Sequence, residues 1–257
     1  MSESTSATPR QYRFHPLMEG IAVAAVIFSA IMFVSYFIYV RAVEAQEDEI
    51  KEGLLRSAGV IQSFIDVDLH RTFRSPESED TPEYQAQIGP MWKVINAGVQ
   101  IEFVYTVILG EDGKAYFVLD ATPDGDADGD GVEDSVDVMQ EYDEIPEDLM
   151  EALETQTLIA SDKPYTDQWG TFVSAYVPLY DSDGNFEAVL GLDIEKSNYY
   201  ERLEPIQRAT IRAMVAGFFI SYMIGSIVWF LRHFAAQLNT SRMRFFDKAG
   251  GDAQPAA

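Results

Sequence analysis

The stretch Phe103–Asp120, FVYTVILGEDGKAYFVLD, decides the fold of this 257-residue chain. Up to Leu109 it is rich in valine, isoleucine and aromatic side chains, which favour a β-strand. The turn sequence EDGK follows at Glu111 to Lys114, and Ala115–Leu119 forms a second β-rich segment. The stretch therefore predicts a β-hairpin.

A second hairpin is predicted further along the chain. Thr171–Tyr180 (TFVSAYVPLY) is followed by a turn at Asp181–Gly184 and by another apolar segment, Phe186–Ile194. Pro178 has no N–H to donate to a neighbouring strand, so we expect it at a sheet edge or beside a bulge. Two such hairpins predict a small antiparallel sheet.

Helices are predicted before, between and after these strands. A long first helix carries apolar residues at steps of three and four, which form a stripe that packs on the sheet or on a second copy of the protein. The stripe residues are Ile50, Leu54, Ala58, Ile61 and Ile65. Thr81, followed by proline and glutamate, predicts the start of another helix, and further helices are expected at 147–154 and 197–212. The fold class is therefore α+β.

Two long uncharged segments, Ile21–Val40 and Ala213–Leu231, enclose this predicted domain. Each has enough apolar residues to span a hydrocarbon core of about 30 Å as a helix. Gly217, Ser221 and Gly225 place small residues on one face of the second helix; this stripe either allows close helix packing or reflects the ordinary composition of membrane helices. The first segment is too long for a cleaved signal peptide, so we expect an anchor.

We place both termini in the cytoplasm and the domain outside, because arginines precede the first span and follow the second, and long loops translocate regardless of charge. The localisation expected is the inner (plasma) membrane. The predicted segments are a cytoplasmic tail (1–20), a transmembrane helix (21–40), an extracytoplasmic domain (41–208), a second transmembrane helix (213–231) and a short cytoplasmic tail (232–257).

Composition excludes several functions. The net charge is -24, and nearly all of the 42 acidic residues lie within residues 44–207; the exceptions are Glu3, Glu19, Asp247 and Asp252. Nucleic-acid binding is not expected, because the phosphate backbone requires a basic surface. There is no cysteine, and two of the three histidines, His15 and His233, lie at the ends of the apolar segments, which argues against a zinc site or a catalytic triad. We expect the third, His70, at the surface.

The order of elements resembles the extracytoplasmic Cache-type (PAS-like) sensor domain of bacterial membrane receptors. Three stretches carry this resemblance: FVYTVILGEDGKAYFVLD at 103–120, KPYTDQWGTFVSAYVPLYDSDG at 163–184 and AVLGLDI at 188–194. The resemblance implies a PAS-like small antiparallel sheet with a long N-terminal stalk helix, flanked by two transmembrane helices. In that family the domain precedes a histidine kinase, a cyclase or a chemoreceptor signalling domain, whereas only about 25 residues follow Leu231 here. That remainder is too short for a catalytic domain, so no enzyme activity is expected in this chain.

The acidic segment DADGDGVEDSVD at 126–137 is similar to thrombospondin type-three and dockerin-like calcium loops. Aspartates alternate with other residues, and Gly131 stands at position six, where a calcium loop turns sharply. An alternative register from Asp124 is weaker, and without a cation the segment is a solvated acidic loop. The predicted Ca²⁺ ligands, in a structural rather than sensory role, are Asp126, Asp128, Asp130, Val132, Asp134 and Asp137.

A small-molecule site is predicted on the sheet, because ligand pockets combine apolar walls with a few fixed polar groups. Aromatic and carboxylate side chains on or beside the predicted strands supply both, although aromatics of this kind also form ordinary cores. The residues expected at this site are Tyr105, Tyr116, Asp120, Tyr165, Asp167, Trp169, Tyr176 and Asp193.

Together these features predict a membrane-anchored sensor that binds a small ligand outside the cell and transmits a conformational change across the membrane. A homodimer and a separate cytoplasmic signalling partner are expected. Two alternatives stay open: a membrane-tethered, calcium-stabilised structural or adhesion module, and the N-terminal part of a sensor histidine kinase or cyclase that lacks its output domain.

Overall fold

The computed structural model describes residues 15–96, 100–126 and 131–251, with the side chains of α5 described to residue 238 and at 241. Contacts divide this chain into two compact units. One unit is Ala42–Pro205; the other contains the helical residues up to Arg41 and from Ile206 onward. The helices are α1 (Pro16–Gln62), α2 (Val67–His70), α3 (Pro82–Ile95), α4 (Glu147–Thr155) and α5 (Lys196–Gly251), with a short 3-10 helix at Pro76–Ser78.

The strands form one antiparallel sheet in the order β2-β1-β6-β5-β3, with β4 also paired to β5. Both predicted hairpins are present, as β1–β2 and β5–β6, so the α+β fold class is confirmed. On one side of β5, Pro178 pairs with Val189 of β6. On the other side, the short β3 pairs only with Ala175 and Tyr176, so it does not reach Pro178. The β5–β6 pairing becomes irregular directly after it, between Leu179 and Tyr180. The strand bounds are β1 Phe103–Leu109, β2 Ala115–Asp120, β3 Ile159–Ala160, β4 Tyr165–Asp167, β5 Gly170–Tyr180 and β6 Phe186–Glu195.

One face of the sheet is covered by α1 and α3. The predicted stripe of α1, with Ile65 just beyond the helix end, is buried against alternate residues of β1, β5 and β6, so it packs on the sheet of its own chain. Thr81 caps α3 as predicted, its Oγ1 accepting from the N–H of Tyr84 at 3.2 Å. Met91 is fully buried, and Ile88, Val94 and Ile95 pack beside it.

The opposite face of the sheet is covered by α4. Leu149, Ala152 and Leu153 of α4 are buried against side chains such as Val107 and Val189, which alternate with those that face α1. The irregular segment between β2 and α4 also lies on this side, where Tyr142 joins the apolar cluster. A sheet covered on both faces explains why β5 and β6 are apolar along almost their whole length.

Strand β2 contains a bulge that reorients its last residues. Tyr105 pairs with Asp120 and Val107 with Phe117, so two steps on β1 correspond to three on β2. A one-residue shift moves a side chain to the other face of a sheet. As a result Phe117 and Asp120 line the same cavity on the α4 side, and the N–H of Leu119 donates to the Thr106 hydroxyl at 2.8 Å.

The prediction that His70 lies at the surface is wrong, because α2 turns the chain back under the sheet and buries the side chain completely. Its Nε2 lies 2.9 Å from the Thr106 hydroxyl, and its Nδ1 lies 3.2 Å from Glu187 Oε1. Since a carboxylate only accepts, Nδ1 carries the proton towards Glu187 and Nε2 accepts from Thr106. Burial lowers the pKa of His70, although its contact with Glu187 opposes this shift, which favours the neutral ring.

The second unit is made of two helical segments that are long and apolar enough to span a membrane. The small residues of α5 face α1: a Cβ on Gly225 would lie 2.7 Å from the carbonyl oxygen of Gly20, and one on Gly217 would lie 2.5 Å from Ile31. Ser221 is buried between them and donates to the Gly217 carbonyl at 2.7 Å. The stripe therefore serves close packing of two helices of the same chain.

Candidate ligand-binding site

A cavity lies on the α4 side of the sheet. Strands β1, β2, β5 and β6 supply its floor, and residues from the irregular segments after β2 and β4 supply its sides. The lining residues are Phe103, Tyr105, Phe117, Asp120, Thr122, Asp134, Val136, Tyr142, Asp167, Trp169, Phe172 and Asp193.

Asp193 of β6 stands at the centre of a buried polar group. Ser174 donates to its Oδ1 at 2.5 Å, and the Tyr105 hydroxyl donates to the same atom at 3.4 Å. The Tyr165 hydroxyl lies 3.1 Å from Ser174 Oγ and extends the group towards β4. Gly191, two residues before Asp193, makes room for this arrangement, because a Cβ there would lie 2.6 Å from the ring of Tyr105.

The Tyr176 hydroxyl belongs to the same group but is not satisfied. Tyr176 is fully buried, and within the described part of the chain its hydroxyl has no hydrogen-bond partner of normal geometry. It lies beside Ser174, Tyr165 and Tyr105. Tyr176 is not among the lining residues of the cavity, so its hydroxyl extends the buried polar group behind Ser174 and Asp193.

Asp120 enters the cavity from β2 because of the bulge. Its Oδ1 accepts from the Thr122 N–H at 3.0 Å and from the Thr122 hydroxyl at 2.7 Å, and its Oδ2 accepts from the Val136 N–H at 3.0 Å. These bonds fix the carboxylate and also hold the irregular segment after β2 against the sheet. The Asp120 N–H contacts the Tyr84 hydroxyl at 3.2 Å, which ties the same residue to α3.

An aromatic wall joins the two ends of the cavity. Tyr142 stacks on Phe117 with ring centroids 4.7 Å apart, and Trp169 meets both rings edge to face at 5.5 and 5.7 Å. The Tyr142 hydroxyl donates to Asp167 Oδ2 at 2.6 Å, and Trp169 Nε1 donates to the Glu133 carbonyl at 3.0 Å. These polar contacts fix the orientation of two large apolar side chains.

Burial shifts the protonation of the carboxylates. Desolvation raises the pKa of Asp193 to about 7 and that of Asp120 to about 6, and it also raises the pKa of Asp167. Hydrogen bonds from Ser174 and Thr122 oppose these shifts without cancelling them. Across the described residues, none of Asp120, Asp167 and Asp193 forms an ion pair, so no counter-ion offsets the desolvation.

Most of the predicted ligand residues lie together. Tyr105, Asp120, Asp167, Trp169 and Asp193 line the cavity, and Tyr165 and Tyr176 lie directly behind Ser174 and Asp193.

Tyr116 is the exception among the predicted residues. It lies on the α1 side of β2, because side chains alternate along a strand, and its hydroxyl donates to Asp112 Oδ2 at 2.7 Å.

Sequence reasoning missed several residues of the cavity. Phe103 and Phe172 stand two residues from Tyr105 and Ser174 on their strands, so period-two alternation alone places them on the cavity side. Phe117 has the same signal through its pairing with β1. Tyr142 has none, because it lies in an irregular segment and reaches the cavity only through tertiary packing.

The predicted calcium ligands are only partly described. Asp128 and Asp130 lie outside the described residues. Asp126 Oδ2 accepts from the Gly131 N–H at 2.9 Å, and Asp134 lines the cavity while its N–H donates to the Gly125 carbonyl at 3.0 Å. The described ranges contain no group of three or more acidic or histidine side chains arranged to hold a metal ion. The calcium site therefore stays a prediction.

No protein-family model matches the chain, and a search of curated proteins found no match. Several solved structures are similar to it. The ligand-binding domain of the Campylobacter jejuni chemoreceptor Tlp3 with L-valine has 19% identity and a TM-score of 0.32, covering 66% of each chain. The periplasmic sensory domain of C. jejuni Tlp1 has 12% identity and a TM-score of 0.35, covering 60% of this chain and 59% of that one.

A third similar structure is the extracellular domain of a protein described as a histidine kinase, mmHK1S-Z2, with 12% identity and a TM-score of 0.31, covering 61% of this chain and 60% of that one. The chain thus spans less than two thirds of these structures' length. They are sensory domains, the type of domain that the sequence resembles, but identities and TM-scores this low carry no argument about what this chain binds.

Proposed function

We propose that this protein is a membrane-anchored sensor that binds a small molecule in the cavity on the α4 side of its sheet. The cavity itself carries this proposal: it combines aromatic walls with fixed carboxylates and hydroxyls, which is the composition of small-molecule sites. The carboxylates of Asp167 and Asp193, which form no ion pair among the described residues, give a ligand groups to bind.

The connectivity of the chain suggests how binding of a ligand in the cavity would be transmitted to helix α5. Asp193 lies three residues before α5, which begins at Lys196 and contains the second apolar segment. At its start α5 packs on α1, where the Tyr199 hydroxyl donates to Glu47 Oε1 at 2.7 Å. A ligand that moved β6 at Asp193 would act directly on the start of α5, and packed interfaces of this kind tend to switch between discrete arrangements. Signalling through a second copy or a cytoplasmic partner remains part of the proposal.

A thermal-shift screen of the full-length chain in detergent micelles tests the proposal. Binding to the folded state raises the unfolding midpoint by mass action, so a metabolite that binds the cavity should stabilise wild-type protein. It should stabilise Trp169→Ala less, and Tyr116→Phe as much as wild type, because Tyr116 lies on the other face. A broad panel of cationic, neutral and anionic metabolites without any stabilising member would contradict the proposed ligand site.

A calcium-braced loop is a second proposal. It is supported by the bond from the Gly131 N–H to Asp126 Oδ2, which closes the sharp turn that a calcium loop needs between its first and sixth positions. Calorimetric titration of the full-length chain with CaCl₂ should then give heat that is lost in Asp126→Ala and kept in Asp143→Ala, whose side chain is exposed outside the loop. The absence of heat in wild-type protein would leave the loop a solvated acidic segment.

A further inference from the structure

A cluster of charged side chains fastens α2 and the residues after it to the sheet. Its centre is Glu187 of β6, whose Oε1 lies 3.2 Å from His70 Nδ1. Glu187 also accepts from Arg71 Nε at 2.8 Å and from the guanidinium group of Arg74. Arg71 in turn pairs with the buried carboxylate of Asp181, directly after β5, at 2.6 Å. None of these residues is among those that line the cavity, so the cluster is separate from the proposed ligand site.

A bulge in β6 gives Glu187 this position. Tyr180 pairs with Phe186 and Leu179 with Ala188, so one step on β5 corresponds to two on β6, and Glu187 is the extra residue. Phe186 packs on the α4 side of the sheet, whereas Ala188 packs on the α1 side. A bulge redirects the side chain of the extra residue, and here it brings the carboxylate to α2.

His70 links this cluster to the interior of the sheet. It is fully buried, and its Nε2 accepts from the Thr106 hydroxyl at 2.9 Å. The same hydroxyl oxygen accepts from the Leu119 N–H of the β2 bulge at 2.8 Å. Within the described ranges these are the two hydrogen bonds of the Thr106 hydroxyl. The arrangement therefore requires a neutral His70 ring with its proton on Nδ1.

Protonation of His70 disrupts this arrangement in two ways. A protonated Nε2 can only donate, so the Thr106 oxygen would accept two N–H groups and its own buried proton would lose its acceptor, which is costly. The positive ring would also join Arg71 and Arg74 around Glu187, as a third cation beside a carboxylate that already binds two guanidinium groups. Both effects favour the open form of the segment once the ring is charged.

The charged groups that act on His70 are Glu187 of β6 and Arg74 from the segment after α2, whereas β1 presents the uncharged Thr106. Burial lowers the pKa of His70 below its usual 6.5, Arg74 lowers it further, and Glu187 opposes the shift. The closed cluster therefore binds a proton less tightly than the open segment. The stability that His70 contributes is complete above about pH 6.5 and is lost progressively as the pH falls below this value.

Glu187 keeps its charge throughout this range. Its burial acts in the opposite direction, but hydrogen bonds from His70, Arg71 and Arg74 lower the pKa of Glu187 to about 2. The proton taken up on mild acidification therefore goes to the His70 ring and leaves the carboxylate ionised.

We propose that this cluster is an acid-sensitive clasp: when the surroundings of the domain become acidic, His70 takes up a proton, and α2 with the residues up to Arg74 detaches from the sheet. Opening exposes to water the Thr106 hydroxyl and the Leu119 N–H bonded to it, so the change reaches the bulge of β2. The inference goes beyond the proposed function, because the proton is bound outside the cavity and acts whether or not a ligand is present.

Hydrogen exchange of the full-length chain in nanodiscs, measured by mass spectrometry and corrected for the intrinsic pH dependence of exchange, tests the clasp. Between pH 7.5 and pH 5.5 the protection of residues 67–74 should fall severalfold, up to about tenfold, which is the limit for uptake of one proton. Protection of residues 115–121, which include Leu119, should fall in parallel. His70→Gln should remove this pH dependence, and His233→Gln, at an exposed site on α5, should keep it.

The sign of the effect separates His70 from other groups that titrate in the same range. Burial raises the pKa of Asp193 to about 7 and that of Asp120 to about 6, so protonation of these carboxyl groups stabilises the folded domain as the pH falls. A loss of protection on acidification has the opposite sign and points to His70.

A measurement on the native side chain keeps the proposal testable if His70→Gln folds poorly. The chain has three histidines, so His70 is the only imidazole in a variant that carries His15→Gln and His233→Gln. Its NMR titration should have a midpoint below pH 6.5 and coincide with the loss of protection at residues 67–74. A midpoint at or above pH 6.5, constant protection between pH 7.5 and pH 5.5, or an equal loss of protection in His70→Gln would overturn the clasp.

Discussion

Replacement of Asp193 by asparagine should change how the stability of the domain depends on pH. Desolvation raises the pKa of Asp193 from 3.8 to about 7, so between these values the folded protein holds a proton that the unfolded chain has lost. Stability therefore falls as pH rises through this window. One pKa unit corresponds to about 1.4 kcal/mol, so the carboxyl group should cost the wild type roughly 2–3 kcal/mol between pH 5 and pH 8.

Asparagine keeps the shape and an acceptor oxygen for Ser174 but does not titrate, so Asp193→Asn should lose this part of the pH dependence and be the more stable form at pH 8. Urea unfolding of the full-length chain in micelles, followed by tryptophan fluorescence at pH 5 and 8, measures the difference. Asp143→Asn is the matched control, because its side chain is exposed. An identical change with pH in wild type and Asp193→Asn would refute the reasoning that Asp193 is a desolvated carboxyl group.

Three further predictions concern packing. Thr106→Val should lower the unfolding free energy by about 1–3 kcal/mol in urea titrations, because the Leu119 N–H and the His70 ring lose a buried partner, whereas Thr106→Ser should stay close to wild type. Gly191→Ala should lower the melting temperature, because the added Cβ pushes the Tyr105 ring aside. Tyr105→Leu should then lower the melting temperature less in the Gly191→Ala variant than in wild type. Ile61→Ala, at a fully buried site, should lower the unfolding free energy by about 2–5 kcal/mol in the same titration. Val60→Ala, at the exposed neighbouring site, should change it by no more than about 0.5 kcal/mol.

The two hairpins could be predicted because each signal is local. Gly113 and Gly184 adopt φ values of +79° and +83° in the turns, which other residues rarely tolerate, and the apolar segments on either side continue without interruption. The stripe of α1 has the same local character, since its spacing alone determines which residues share a face.

Residue type alone places Asp120 among the predicted ligand residues, but neither the direction of its side chain nor the location of His70 follows from a local signal. His70 is buried through contacts with residues 36 and 117 positions away in the sequence. Asp120 turns into the cavity because a bulge shifts the register of β2 by one residue, and the N–H that this bulge frees is satisfied by Thr106 on another strand. Period-two alternation from Phe117 would place Asp120 on the wrong face, so only the tertiary structure determines its role.

The walls of the cavity come from two kinds of segment, β-strands and an irregular connection, and this division has an evolutionary consequence. Asp193 and Tyr105 belong to central strands, where a substitution also disturbs the packing of the sheet. Asp134 and Val136 belong to the irregular segment after β2. A change in the length or composition of this segment leaves the pairing register of the strands unaltered. If the cavity binds a ligand as proposed, mutations in this segment would alter ligand preference at little cost to folding, and one strand framework would serve sensors for different molecules.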